Sequence, residues 1–242
     1  QPDRHSELGS GYGLEAYPNM SRMDWAVELF QWFNYYLKDI GDEPEPMVQI
    51  QTNDGRWHVE DTWPPEDMTW NLADIGTDWM VTGDTVNGQG ASVTLVSGEL
   101  TELTHISGLP TLHLEVTTQA CQGGQIFATL YDNEDNLRLG HATMDVRYRD
   151  GGYDAKATSP FSSYTMLMEF NPLDVVVPAG HTLRIELTEN GEDYLPSPCA
   201  SNPLGGLTVD GGVVGLPIID RPKSHDSWFL APPWWEQQPI PE

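Results

Sequence analysis

Basic side chains are the scarcest feature of this sequence. Lys and Arg together number 11 against 37 Asp and Glu, giving a formal net charge of −26, and only Lys38, Lys156 and Lys223 are lysines. A phosphate backbone needs the opposite field, so nucleic acid is not an expected partner. The acids are dispersed rather than blocked, which speaks against an acidic disordered tail. A dispersed acidic, Lys-poor surface is the expectation for a protein working in high salt, where screening shortens the range of self-repulsion. Ordinary acidic solubility is the other reading. Location stays open between an extracellular setting and a high-salt cytoplasm.

Other absences narrow the chemistry. No apolar run approaches the roughly 18 residues of a membrane span, so no bilayer-crossing helix is expected. No charged n-region followed by an apolar h-region opens the chain, so any export signal would lie upstream. There are two cysteines, Cys121 and Cys199; one disulfide and two separate buried thiols are both compatible with them. No Cys/His spacing resembles a zinc site. No Gly-x-Ser-x-Gly elbow occurs, and Ser10 and Ser97, each beside glycine, read as loop residues. The stretch "DNEDN" (132–136) resembles the start of a calcium loop. Leu137 and Thr143 stand where an EF-hand needs Gly and Glu, so it reads as a hairpin turn. Neither a metal nor another cofactor is expected.

What is present begins with one helix. Ser21 and Asp24 give a capping signature, Gly41 a stop, and residues 21–40 carry apolar side chains at helical spacing. Met23, Ala26, Val27, Phe30, Phe33 and Leu37 form one stripe, with Trp25, Leu29, Trp32 and Tyr36 beside it. A helix apolar on most of its circumference must be covered on several sides. No other segment reads as a helix able to cover it, which points to a missing partner. Residues 41–76 are polar and Pro-rich, with a short strand expected at Met47–Gln51, and read as a connector packed by Trp57, Trp63 and Trp70.

From residue 77 the pattern changes to period two. Leu112, Leu114 and Val116 alternate with polar residues, as do Ile126, Ala128 and Leu130. The same holds for Ala142, Met144, Val146 and Tyr148, for Met166, Met168 and Phe170, and for Leu183, Ile185 and Leu187. Half-buried strands separated by turns predict an antiparallel sandwich or jelly roll over 77–220. Residues 221–242 are too Pro-rich for strand or helix, and their three tryptophans suggest a tail laid over a surface. His113 and His141 are expected to face outward from strands, His181 to sit in a turn, and His58, His105 and His225 in loops. Each reads as a surface or packing residue.

The string "PDRH", the helix "MDWAVELFQWFNYYLKD" and the segment "MVQIQTNDGRWHVEDTWPP" together resemble the C-terminal part of the Xaa-Pro dipeptidyl-peptidase and cocaine-esterase-like hydrolases. Trp32, Phe33, Leu37 and Lys38 match the family's helix; Gly55, Trp57, Trp63, Pro64 and Pro65 match its Gly-x-Trp…Trp-Pro-Pro segment. "ISGLPTLHLEV" and "VPAGHTLRIELTEN" look like strands of its galactose-binding-like jelly roll, the latter through Gly180, His181, Leu183 and Arg184. The resemblance runs in order from Pro2 to about Ile219.

It implies a mainly β fold: a galactose-binding-like jelly-roll sandwich preceded, in residues 1–40, by the last loop and helix of an α/β-hydrolase domain. It implies that His5 is the triad histidine, acting as general base toward serine and then as general acid toward the leaving group. Asp3 stands where the family usually has Trp, and Gln1 where it has Gly. The serine and aspartate would belong to an upstream α/β-hydrolase domain or chain, acting on a peptide or an ester. Trp57, Trp63 and Trp70 would contact that domain or the substrate pocket. Without the serine this chain alone should not perform acyl transfer. A non-catalytic carbohydrate-binding module is the competing reading, and an interaction domain holding a homo-oligomer is a third.

If the acidic surface is an adaptation to salt, the melting temperature climbs steeply between low salt and molar potassium chloride. A flat response in thermal scans would remove that explanation.

Overall fold

Alternation along the chain decides which side chains meet. In "TLHLEVTT" (Thr111–Thr118), Leu112, Leu114 and Val116 are fully buried while His113 and Glu115 face solvent. That is the period-two signature of a sheet packed on one face. The computed structural model describes residues 22–44, 48–53, 57–60, 62–121, 123–151, 153–191, 195, 199–202 and 204–220. His5 and the 221–242 tail lie outside them.

Helix α1 spans Arg22–Lys38, close to the 21–40 expected from spacing. The strands in chain order are β1 (Val48–Gln51), β2 (Trp57–Glu60), β3 (Met68–Asp74), β4 (Trp79–Thr82), β5 (Thr85–Val86), β6 (Val93–Ser97) and β7 (Thr104–Gly108). Then come β8 (Thr111–Thr118), β9 (Gln125–Asp132), β10 (Leu137–Asp145), β11 (Ser163–Glu169), β12 (Leu173–Val177), β13 (Leu183–Thr188) and β14 (Leu207–Ile219). One sheet runs β10-β9-β13-β6-β4. The other runs β11-β8-β14-β7-β12, with β3 and β5 also paired to β14. All these ladders are antiparallel, and the hairpin β1–β2 stands apart as a third, small sheet. This is the expected jelly-roll sandwich. Its second sheet reaches back to Met68, earlier than the residue 77 at which alternation becomes visible.

The core is the seam between the two sheets. Leu95, Ile126, Ala128, Leu130, Leu183, Ile185 and Leu187 of one inner face meet Ile106, Leu112, Leu114, Val116, Met166, Met168 and Val175 of the other. Each fully buried Leu, Ile or Met of this kind contributes about 1.5–3 kcal/mol. Phe170, Leu173 and Trp79 close the seam at its margins. Cys121 and Cys199 form a disulfide across a sequence separation of 78, which decides the choice left open by composition. Closing a loop of that length in the unfolded chain costs entropy worth about 4 kcal/mol.

The β9–β10 turn is tied to the start of β13 by side chains. Both Glu134 oxygens accept from Thr182, one from the backbone N–H at 2.6 Å and the other from the hydroxyl at 2.9 Å. His181 Nδ1 lies 2.9 Å from Asp132 Oδ1, and Arg184 donates to Asn136 at 2.6 Å while stacking over Tyr131. The Thr182 N–H holds the Glu134 carboxyl below its usual range. The hydrogen bond to Asp132 raises His181 above the ordinary histidine value.

The raised His181 contributes stability that is fully present below the unfolded histidine value and is lost as pH rises through the folded one. Glu134 acts in the opposite sense: its contribution is present above the unfolded carboxylate value and is lost as pH falls through the depressed one. An NMR titration should place the His181 midpoint above about 6.5, and Asp132→Asn should return it toward that value. An unshifted midpoint in the parent protein would contradict the pairing.

Candidate functional site

The core consumes the inner face of the seven-stranded sheet, which leaves its outer face free to carry other roles. Along β7 and β12 the outward positions are His105, Ser107 and Asp174, and all three are buried. Register sets Asp174 opposite Ser107 and Val176 opposite His105. The Asp174 carboxylate bridges the other two: its Oδ1 lies 2.8 Å from His105 Nε2, and its Oδ2 accepts from the Ser107 hydroxyl at 2.7 Å. A nucleophilic triad needs the imidazole between serine and carboxylate, so that the ring takes the serine proton. Here the carboxylate stands in the middle, so Ser107 is anchored rather than activated. His105 was expected in a loop. It lies in a strand, because Thr104–Gly108 alternates about Ile106 and five residues suffice for an inner strand flanked by ladders.

The described part of the connector reaches this half of the outer face at Asn53 and at Pro64. Asn53, in the β1–β2 turn, donates through Nδ2 to the Val176 carbonyl at 3.0 Å and accepts the Val176 N–H at 2.8 Å. Its side chain thereby imitates one residue of a neighbouring strand on β12, whose backbone ladder is otherwise with β7. Pro64 lies over Gly108. A Cβ at Gly108 would stand 3.0 Å from Pro217 and 3.5 Å from Pro64, and its φ of +139° suits glycine alone.

The other half of the outer face is open. On β3, Trp70 and Leu72 point the same way over β14, with Trp70 opposite Pro217 and Leu72 opposite Gly215. A Cβ on Gly215 would lie 3.3 Å from Leu72 and 3.4 Å from Trp70, so the missing side chain is what lets the two settle on the backbone. Trp70 remains 48% exposed and Leu72 67%. A third apolar surface is α1 itself. Phe30, Trp32, Phe33, Tyr36, Leu37 and Ile40 are between 38% and 71% exposed, and Trp32 packs only on its helical neighbours Phe33 and Tyr36 among the described aromatic pairs.

The residues singled out from sequence therefore do not form one cluster. His5 lies outside the described residues, and so does Ser10. Trp57 contributes its backbone to β2, opposite Gln51. Trp63 is half-buried next to Pro64 at the connector–sheet contact. Trp70, expected to pack the connector, sits instead in the sheet and faces solvent. Ser97 accepts the Leu183 N–H at 2.8 Å and donates to the Gly98 carbonyl at 2.8 Å, a structural role. Sequence reading missed the His105–Asp174–Ser107 network; the polar residues alternating within "THISG" were its only signal.

Asp132, Glu134 and His181 place one ligand atom each within 4.8 Å of one another, a spacing a cation could use. Those atoms are engaged in the turn described above, in bonds to one another and to Thr182. The trio accordingly serves as a lock between β9 and β13.

Comparison with known proteins gives consistent matches. Residues 78–204 match the X-Pro dipeptidyl-peptidase C-terminal non-catalytic domain. A putative Xaa-Pro dipeptidyl-peptidase of Bacillus anthracis is 24% identical over 229 residues, covering 82% of this chain and 38% of that protein. The chain thus spans well under half the length of that relative. An aminopeptidase from a marine sediment Thaumarchaeota archaeon superposes with a TM-score of 0.59 at 14% identity, over 81% of this chain and 44% of that one. A CocE/NonD family hydrolase of Staphylococcus aureus gives 0.57 at 14% identity, over 82% and 46%. An alpha-amino acid ester hydrolase gives 0.55 at 15%, over 89% and 48%. These structures share the fold.

Asn53→Ala should release the connector from β12 and destabilise the protein by about 1–3 kcal/mol, the cost of orphaning a half-buried N–H and C=O. Hydrogen exchange should show the Val176 amide losing protection first. An unchanged Val176 exchange rate would mean that the connector is held elsewhere.

Proposed function

Because the chain belongs to the family of X-Pro dipeptidyl-peptidase C-terminal non-catalytic domains, we propose that it serves as the C-terminal part of a serine hydrolase, an Xaa-Pro dipeptidyl-peptidase or an acyl esterase. The nucleophile and its aspartate belong to an upstream α/β-hydrolase domain or chain. His5 supplies the third member of the triad, taking the serine proton and returning it to the leaving group. The sandwich walls one side of the substrate site, with α1, Trp57 and Trp63 making the contact. The one disulfide and the acidic surface suit an oxidising, salty exterior.

The observation that carries this reading is α1. Six large apolar side chains exposed on a single 17-residue helix and its exit are unstable in water unless another surface covers them. A hydrolase domain immediately upstream is the surface the family supplies. A carbohydrate-binding module, the competing reading, draws support from the exposed Trp70 alone. It leaves α1 uncovered.

The test is native mass spectrometry of the protein isolated from its source cells after treatment with a fluorophosphonate serine probe. Label on a serine in the polypeptide that carries this chain, or in one bound to it, is the expected result. His5→Ala should then lower kcat by on the order of 10⁴-fold or more with the melting temperature unchanged. An unlabelled chain with no hydrolase partner would overturn the proposal, and sugar binding abolished by Trp70→Ala would favour the module.

A further inference from the structure

Strand β3 is an edge of the sandwich with an exposed apolar face. It pairs with β14 along one edge, and among the described residues no strand pairs with the other. Its outward face carries Trp70 and Leu72 over the bare backbone of Gly215. An unpaired edge strand with an exposed apolar face invites pairing with another chain unless something covers it. We propose that the cover is this chain's own C-terminal segment, Ser227–Trp235, "SWFLAPPWW", laid along β3 across Trp70 and Leu72.

The register of β14 permits this path. β14 ends at Ile219 opposite Met68, the first residue of β3, so the chain leaves the sheet at the start of the edge it would cover. Leu72 lies opposite Gly215, only about 13 Å back along β14 at strand spacing. The stretch from Asp220 to Trp228 extends about 26 Å, enough to turn the edge and run back. Composition agrees. Trp228, Phe229, Leu230, Trp234 and Trp235 form a nearly continuous apolar run in a chain that is otherwise acidic. Such a run needs a surface, and the prolines after Ala231 keep it from templating further strands. Charge agrees as well. Arg221 and Lys223, two of the chain's 11 basic residues, follow β14 directly in sequence, and Glu66 and Asp67 directly precede β3, whose first residue lies opposite Ile219.

This inference concerns the chain's own packing and stands or falls separately from the hydrolase reading. It is tested on the full chain with the photo-crosslinking amino acid p-benzoylphenylalanine in place of Leu72, a position exposed enough to accept it. After irradiation at low protein concentration, peptide mapping should find the crosslink within residues 227–235 of the same molecule. A crosslink to a second copy, to a hydrolase domain or to no peptide would overturn the proposal; the hydrolase-domain outcome would do so while supporting the function proposed above. In parallel, Leu72→Glu should make the amides of residues 227–231 exchange about tenfold faster or more while the core amides of β8 and β9 keep their rates. Equal exchange in the two proteins would equally overturn it.

Discussion

Everything in this sandwich depends on one long ladder. β14 runs thirteen residues, pairs with β8 along most of its length, and carries β5 and β3 on its other edge before reaching β7 at its end. Four segments, the farthest of them about 150 residues away in sequence, are brought into register by this single strand. Its composition fits that position. Val214 and Leu216 point into the core, while Gly215 and Pro217 face outward, where the connector and the β3 side chains press against the backbone. A strand with bulky residues at every outward position would have pushed both layers off.

From that ladder the outer face divides in two. One half, over β7 and β12, is reached by the connector at Asn53 and Pro64 and buries a carboxylate, an imidazole and a hydroxyl as a closed network. Burial of such groups costs several kcal/mol unless they are paired, as they are here. The other half is apolar and open. Helix α1 adds a further apolar surface that the sandwich does not use. A domain with a finished core and an apolar helix left exposed is built to be part of something larger, in keeping with its membership of a non-catalytic family found within hydrolases.

The strands of the core were the most legible part in sequence, since alternation such as Leu112–Leu114–Val116 follows directly from a sheet with one wet face. Helix α1 was legible for the corresponding reason, with apolar residues at its own period. β3 was not. "MTWNLAD" exposes both of its faces over much of its length, so it carries no alternation to read, and it was grouped with the connector. The His105–Asp174–Ser107 network was hidden because it joins side chains on two strands nearly seventy positions apart in sequence. The role proposed for His5 rests on resemblance, and no local pattern around it would have suggested one.

The disulfide has a consequence beyond loop closure. Cys121 and Cys199 bracket β9, β10, β11, β12 and β13, together with the most solvent-exposed large apolar side chains among the described residues, Tyr153 and Leu195. An endopeptidase cutting at those projecting loops would leave two pieces still joined by a covalent bond and still interleaved in both sheets. In surroundings rich in proteases, the molecule could be nicked there without coming apart, and the damage would be visible only after reduction.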